Sequence, residues 1–377
     1  MNKISFNKPH LTGKEAHYMY EAVYKQSHIA GNGYFTKKCH SFFEERYSIK
    51  KVLLTTSCSD ALEMAAILLD IKLGDEVIIP SYTFVSTANA FALRGAKIIF
   101  ADSCDNNPNI DADKIESLIT DKTKAIVPVH YAGVSCDMDK IMELADKYNL
   151  FVVEDAAQAI DSYYKGKPLG TIGHLGTLSF HETKNIISGE GGALFINDEK
   201  FIERAEVIWE KGTNRQKFFR GEVDKYGWVD IGSSFLPSDI IAAYLYAQLE
   251  SMKNIQSKRI ENWNRYYEGL SSLEINGKTK LGDIPDYATN NGHMFYLVCK
   301  NINERDSLLK FLKSNNILAV FHYQSLHSSE YFKSKHDGRA LKNCDRYSNT
   351  LIRLPMYYEL KQSEIEYISQ KIVEFYS

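Results

Sequence analysis

Gly176-Thr-Leu-Ser-Phe-His-Glu-Thr-Lys-Asn185, followed at once by Ile186-Ile-Ser-Gly-Glu-Gly-Gly192, is the stretch whose reading decides the fold. Its apolar, β-prone run from Thr177 to Phe180 leads into a polar corner with one lysine, Lys184. A glycine cluster then precedes a second β-prone run, Ala193 to Ile196. The lysine therefore sits where a strand hands over to a loop. An amine there is fixed by the backbone behind it and open to a ligand in front, which suits a side chain that bonds covalently to an aldehyde. On position alone the commoner explanation is a solvated surface lysine, so the upstream residues have to decide.

Upstream, short apolar runs at 51–55, 75–80, 96–100, 125–129 and 150–153 alternate with helical patterns at 61–69, 87–93, 112–119 and 137–148. Strands of four to six apolar residues alternating with helices predict an α/β fold, a mainly parallel sheet with helices on both faces. Ligands of such sheets gather beyond the carboxyl ends of the strands, so each polar corner after a strand is a candidate wall of a site. Before the alternation come two helices, 12–24 and 36–47, joined through the turn-forming Gly31-Asn-Gly-Tyr34.

After Asp198 the pattern changes to helices at 199–209 and 238–252, the latter continuing to about residue 270. The irregular segment 213–232 contains Phe218, Phe219, Arg220 and Trp228, and its length and aromatics read as an interface or a functional loop. Strands at 294–299 and 317–321 with helices at 304–315 and 362–376 make a small α/β tail. We expect a large ligand-binding domain over residues 1–250, with an N-terminal helical segment, and a smaller C-terminal domain over 251–377.

A hydrophobic share of 44% and a charged share of 25% describe an ordinary globular chain. A net charge of −3 gives no electrostatic case for nucleic acid or an anionic membrane as partner. The six cysteines form no CxxC pair and have no close histidine partners, so neither a zinc site nor a disulfide framework is expected. With neither a signal peptide nor a membrane-spanning run legible, the expected setting is the cytoplasm.

Four strand ends carry the chemistry. Glu154-Asp155-Ala-Ala-Gln158 places two acids at the close of a strand, with Gln158 one helical turn further on if a helix follows. An aspartate against a pyridine nitrogen keeps it protonated, so that the ring can absorb an electron pair. Ser57-Cys58-Ser59 opens a helix, where free N–H groups and the dipole attract a phosphate, although plain N-capping explains the serines equally well. Pro80-Ser-Tyr-Thr-Phe84 offers aromatics to cover a planar ring. A phosphate cradle, a stacking ring, an acid for a ring nitrogen and an amine for an aldehyde are together the inventory that holds pyridoxal 5'-phosphate (PLP). A dinucleotide site is not indicated, because the glycines at 189–192 lead into a strand and not a helix.

With these corners in view, the chain resembles the DegT/DnrJ/EryC1/StrS family of PLP-dependent sugar aminotransferases, on the fold-type I, aspartate-aminotransferase-like scaffold. The marks are Glu154-Asp-Ala-Ala-Gln158, Ser179-Phe-His-Glu-Thr-Lys-Asn185 and Gly189-Glu-Gly-Gly192. Pro80 to Ala90, Pro128 to Gly133, Glu210 to Arg215, Phe218 to Gly221 and Phe321 to His327 are similar to the branch of dTDP-4-amino-4,6-dideoxygalactose transaminases.

The resemblance implies that Lys184 carries the coenzyme and is the catalytic residue. It also implies that Asp155 meets the pyridine nitrogen, Gln158 approaches the phenolic oxygen and Phe84 stacks on the ring, with Ser57, Cys58, Ser59 and Ser179 around the phosphate. Ser234 matches a position that, in the family, completes the phosphate site of the neighbouring subunit, commonly as Asn. His322 and Tyr323 are candidates to reach a nucleotide sugar. The implied partners are L-glutamate, a dTDP-4-keto-6-deoxyhexose and a second copy of the chain in a homodimer. The implied product belongs to bacterial surface polysaccharide synthesis, with C3 amination, a gluco outcome or a sugar dehydratase as alternatives. Dehydratases on this scaffold have histidine in place of the lysine, which Lys184 argues against.

Overall fold

The computed structural model describes residues 3–377. Helices α1 (Glu15–Tyr24) and α2 (Tyr34–Tyr47) precede the repeating part of the chain. That part runs β1 (Lys51–Thr55), α3 (Cys58–Leu68), β2 (Glu76–Pro80), α4 (Val85–Ala92), β3 (Lys97–Ala101), α5 (Ala112–Ile115), β4 (Thr123–Ile126), α6 (Met138–Tyr148) and β5 (Phe151–Asp155). A small hairpin, β6 (Tyr163–Tyr164) with β7 (Lys167–Pro168), leads to β8 (Leu175–Ser179) and β9 (Gly192–Ile196).

The central sheet has seven strands in the order β1-β9-β8-β5-β4-β2-β3. Pairing is parallel from β3 through β8, and β9 runs antiparallel between β8 and β1. β8 and β9 are therefore one hairpin, and the lysine corner is its loop. Register places Thr55 of β1 and Ser179 of β8 opposite Gly192, and Asp155 of β5 opposite Thr177. Four of the chemical corners thus lie along one edge of one sheet.

Alternation along the strands explains why both faces are covered. Leu53, Val77, Ile79, Val153 and Leu194 pack on the face that carries α3 and α4. Val52, Leu54, Ile78, Val152 and Phe195 pack on the other, under α2 and α6. Every residue of β2, β8 and β9 is buried.

The remainder comprises α7 (Ile202–Trp209), α8 (Arg215–Phe219), α9 (Asp239–Glu250), α10 (Met252–Ile275), β10 (Lys280–Leu281), β11 (Tyr296–Val298), α11 (Ile302–Ser314), β12 (Val320–Phe321), α12 (Lys342–Thr350), β13 (Leu351–Arg353) and α13 (Gln362–Tyr376). A second, antiparallel sheet, β10-β11-β13-β12, packs Leu297, Ile352 and Leu354 against α10, α11 and α13. Ile4 pairs with Ile317 beside this sheet and shares its apolar cluster, so the first described residues lie with the C-terminal part of the chain.

Several expectations shift. The long helix from 238 breaks at Ser251, whose N–H reaches back to Gln248 O and Leu249 O. The strand expected at 125–129 ends at Ile126, before the turn at Tyr131–Gly133. The helix at 112–119 is one α turn followed by a 3-10 turn, and that at 199–209 likewise opens on a 3-10 turn. β10, α12 and β13 were not expected at all. Among the described residues no helix is long and apolar enough to cross a membrane.

Candidate active site

The β8–β9 loop is held by bonds across its neck. Phe180 N–H donates to Gly191 O (2.8 Å), Glu182 N–H to Gly189 O (2.8 Å) and Ser188 N–H to Phe180 O (2.7 Å). Asn185, next to the lysine, is buried and donates to Gln256 Oε1 (2.9 Å) and Asn291 O (2.8 Å), while its Oδ1 lies 3.0 Å from His293 Nδ1. The corner is thereby tied to α10 and to the approach to β11. Lys184 lines a cavity of about 690 Å³ together with Ser57, Cys58, Ser59, Asp155 and Gln158. Burial lowers its pKa against the pull of Cys58 and Asp155, and Arg353 adds to the fall. A larger share of neutral, nucleophilic amine results.

The two acids that close β5 point opposite ways, as successive strand residues must. Glu154 turns away from the cavity and accepts from Gly170 N (2.9 Å), Ile172 N (2.7 Å), Gly173 N (2.7 Å) and His130 Nε2 (2.9 Å). Because His130 Nδ1 accepts from Cys136 N (3.2 Å), Nε2 carries the ring proton, and Glu154 is fully engaged in the structure. Asp155 faces the cavity and accepts from Thr87 Oγ1 (2.7 Å) and Ala157 N (3.1 Å). No helix follows it: residues 156–161 form turns, so the one-helical-turn spacing to Gln158 is not realised and Asp155 caps no helix. Gln158 reaches the site because its Oε1 accepts from Ala132 N (2.7 Å) and its Nε2 donates to the Tyr323 hydroxyl (3.0 Å).

At the end of β1, Ser57 caps α3 by accepting from Asp60 N (3.1 Å) and donates to Asp60 Oδ2 (2.9 Å), so its hydroxyl is committed. Ser59 Oγ donates to Ser86 Oγ (2.7 Å). The Cys58 and Ser59 N–H groups have no protein acceptor among the described residues and remain as donors at the positive end of an 11-residue helix. Ser179 joins the same cavity wall. Gly192 permits this arrangement: a Cβ there would lie 2.4 Å from Ser57 C and 2.5 Å from Cys58 N. Gly192→Ala is expected to push the start of β9 off the corner, costing about 1–3 kcal/mol of stability and weakening coenzyme binding at least tenfold. Thermal melting of the coenzyme-free protein and a coenzyme titration check the two effects separately.

Phe84 lies just before α4, more than half exposed, with its ring open toward the cavity and 6.1 Å from that of Tyr323. Tyr323 takes a left-handed backbone conformation (φ 49°) that turns its ring into the site. His322 stacks on Tyr323 (3.5 Å between centroids), hydrogen-bonds Tyr131 OH through Nδ1 (2.7 Å), and is held well below the usual histidine pKa by burial and by Arg353. Ser234 is exposed, pairs with Glu210 and does not line this chain's cavity. Sequence reasoning missed Thr87, Asn185, His293, Phe6 and Arg353. Only Thr87 and Asn185 lie within stretches already singled out.

The donor set fits PLP. Among the described residues Asp155, 5% exposed, has no lysine, arginine or histidine within ion-pairing distance. A buried carboxylate without a counter-ion is costly unless a cation arrives, and a protonated pyridine nitrogen is one. An amine, an unpaired acid, a fixed amide, an open aromatic face and free helix N–H groups around one cavity define a PLP-dependent transferase. The chain belongs to the DegT/DnrJ/EryC1/StrS aminotransferase family, whose model matches residues 11–373; its members are PLP-dependent sugar aminotransferases. It is 32% identical to a GDP-perosamine synthase of Escherichia coli O157:H7 over the whole of both chains. It is also 32% identical to a UDP-4-amino-4-deoxy-L-arabinose–oxoglutarate aminotransferase of Shewanella sediminis, over 85% of this chain and 84% of that one. Among solved structures it is similar to the aminotransferase TlmJ from Streptoalloteichus hindustanus, with a TM-score of 0.91, 26% identity and 99% of each chain covered.

Proposed function

We propose that the enzyme transfers the amino group of L-glutamate to the 4-keto group of dTDP-4-dehydro-6-deoxy-D-glucose, giving dTDP-4-amino-4,6-dideoxy-D-galactose and 2-oxoglutarate. The observation that carries the transamination is Lys184, in the loop after β8, and Asp155, at the end of the neighbouring parallel strand β5 and without an ion-pair partner within 4 Å among the described residues, lining one cavity. The dTDP sugar and its galacto product are supported by the motif resemblance at 80–90, 210–221 and 321–327. Bacterial surface polysaccharide synthesis follows from that product.

PLP, when bound, supplies the electron sink for both halves of the reaction. Asp155 would hold the ring nitrogen protonated, Gln158 would have one Nε2 proton left for the phenolic oxygen, and Phe84 would be available to cover the ring. The N–H groups of Cys58 and Ser59 and the Ser179 hydroxyl would hold the phosphate, and the capped Ser57 fixes the corner. Lys184 Nζ binds the coenzyme between turnovers. Freed when the incoming amine takes its place, it would take the proton from the donor Cα in the first half and deliver one to sugar C4 in the second. Because one amine serves both transfers, no second acid is required.

We place two copies of the chain around each site. The exposed Phe219, Tyr226, Trp228 and Ile231 of the segment 213–232 suit an interface, with the adjoining Ser234 offered to the partner's phosphate. All six cysteines are free, in keeping with a reducing cytoplasm.

A second reading is favoured by the relatives' printed names: the nucleotide would be GDP or UDP. Purified protein with L-glutamate should convert the dTDP-4-keto-6-deoxy sugar at least tenfold more efficiently than its GDP and UDP counterparts, with an axial C4 amine by NMR. Preference for a GDP or UDP sugar overturns the substrate assignment, and an equatorial amine overturns the product.

A further inference from the structure

The chain leaves β12 at Phe321 and runs on as an irregular segment, with one turn at Leu326–Ser328, past residues that follow β2, β4 and β5. Its near end is held by side chains. Tyr82 OH donates to His322 O (2.5 Å), Tyr131 OH lies 2.7 Å from His322 Nδ1, and Tyr323 OH accepts from Gln158 Nε2 (3.0 Å). Its far end converges on one residue, Ser81, directly after β2 and fully buried. Leu326 N–H donates to Ser81 O (2.9 Å), His327 N–H donates to Ser81 Oγ (3.1 Å), and His327 Nδ1 lies 2.8 Å from the same Oγ.

With its oxygen accepting from His327 N–H, Ser81 turns its own proton to Nδ1. The ring proton then sits on Nε2, 3.4 Å from Asp345 Oδ1. Serine, histidine and aspartate in this order match the members of a hydrolytic relay. Ser81 is no nucleophile, however, because it has no accessible surface and does not line the lysine cavity. The contacts instead fix the segment: Ser81 and Tyr82 are adjacent, so one strand end grips both ends of it. Between the grips lies Tyr323, whose left-handed backbone (φ 49°) persists in a residue with a Cβ only where the surroundings hold it.

Resting on the transaminase reading, we propose that His327 is a positioning residue for the phenolic oxygen of the coenzyme. Together with Ser81 it locks the 322–327 segment, and the Tyr323 hydroxyl so placed keeps the Gln158 amide turned toward that oxygen. Neither Ser81 nor His327 lines the cavity, so both act through Tyr323. A donated hydrogen bond favours the anionic form of its acceptor. The lock therefore sets the pH at which the lysine-bound coenzyme loses its proton.

The test compares the coenzyme-loaded enzyme with three variants. His327→Phe removes the acceptor for Ser81, Ser81→Ala removes the same bond from the other side, and His327→Asn restores an acceptor at the place of Nδ1 without a titratable ring. The readout is the pH midpoint of the visible coenzyme absorbance, with melting recorded beside it. In His327→Phe and Ser81→Ala the midpoint should rise by about one unit, the equivalent of one hydrogen bond, while His327→Asn moves by at most about a third of that. In a Tyr323→Phe background His327→Phe should add no further shift. Ser81→Ala, the smaller change, carries the comparison if His327→Phe fails to fold. A lowered melting temperature with an unmoved midpoint, an Asn variant that shifts as far as Phe, or a full shift in the Tyr323→Phe background overturns the proposal. The same wild-type preparation is mixed with L-glutamate: a protein that shows the absorbance transition but converts no amino acid overturns the transaminase reading instead.

Discussion

Lys184→Ala is expected to lower turnover by at least about 10⁴-fold while leaving the fold and its melting temperature within a few degrees of the parent. In the proposed reaction one nitrogen has three tasks: holding the coenzyme, removing the donor proton and returning a proton to the sugar. A positioned general base alone is worth roughly 10² to 10⁴, and loss of covalent anchoring adds to that. The fold should survive because the loop neck is closed by backbone bonds of Phe180, Glu182 and Ser188, and its side-chain anchor is Asn185, none of which uses the lysine side chain. The visible absorbance of the lysine-bound coenzyme should vanish with the activity. Activity within tenfold of the parent would remove Lys184 from the chemistry.

Asp155→Asn comes second. The amide keeps the shape and its one oxygen can still accept from Ala157 N, while its NH2 replaces the oxygen that faced Thr87 Oγ1 and can donate to that hydroxyl, but it cannot favour a protonated ring nitrogen. Removing one member of a buried charge pair costs about 3–5 kcal/mol, and each 1.4 kcal/mol is a factor of ten in rate. Turnover should therefore fall by roughly 10² to 4 × 10³. The coenzyme-free protein should melt no lower than the parent, because a buried acid without a counter-ion has been replaced by a neutral group. Single-turnover kinetics with L-glutamate and a coenzyme-free melt give the two readings. A melting loss that matches the rate loss would mean Asp155 serves the fold.

What was legible beforehand was local. Apolar runs set the strands, and the polar residues just past each run are forced to the sheet edge whatever the tertiary detail, which is why Ser57, Asp155, Ser179 and Lys184 converge. Hidden features depended on partners far along the chain. Asn185 is an anchor only because Gln256 and Asn291 are packed beside it. Gln158 reached the site without the helix expected after Asp155, because the Ala132 N–H and the Tyr323 hydroxyl hold it from other segments. Arg353 follows Lys342–Thr350, a mostly polar run whose buried apolar stripe is carried by only Cys344 and Tyr347 within the helix, and its strand is three residues long, too short for alternation to register.

The opening residues of the chain bear on how the enzyme matures. Ile4 exchanges backbone bonds with Asn316 and Leu318, Met356 N–H reaches Phe6 O, and Asn7 Nδ2 donates to Glu182 O two residues from the lysine. Phe6 is also the ring that shields Arg353. During synthesis residues 4–7 therefore dock only after residues 316–356 have been made, and closure of so distant a contact comes late. The pocket acquires its final wall only once residues 353–356 have been made, so a nascent chain stalled before residue 353 would hold the lysine corner with one side of the chamber still open to water.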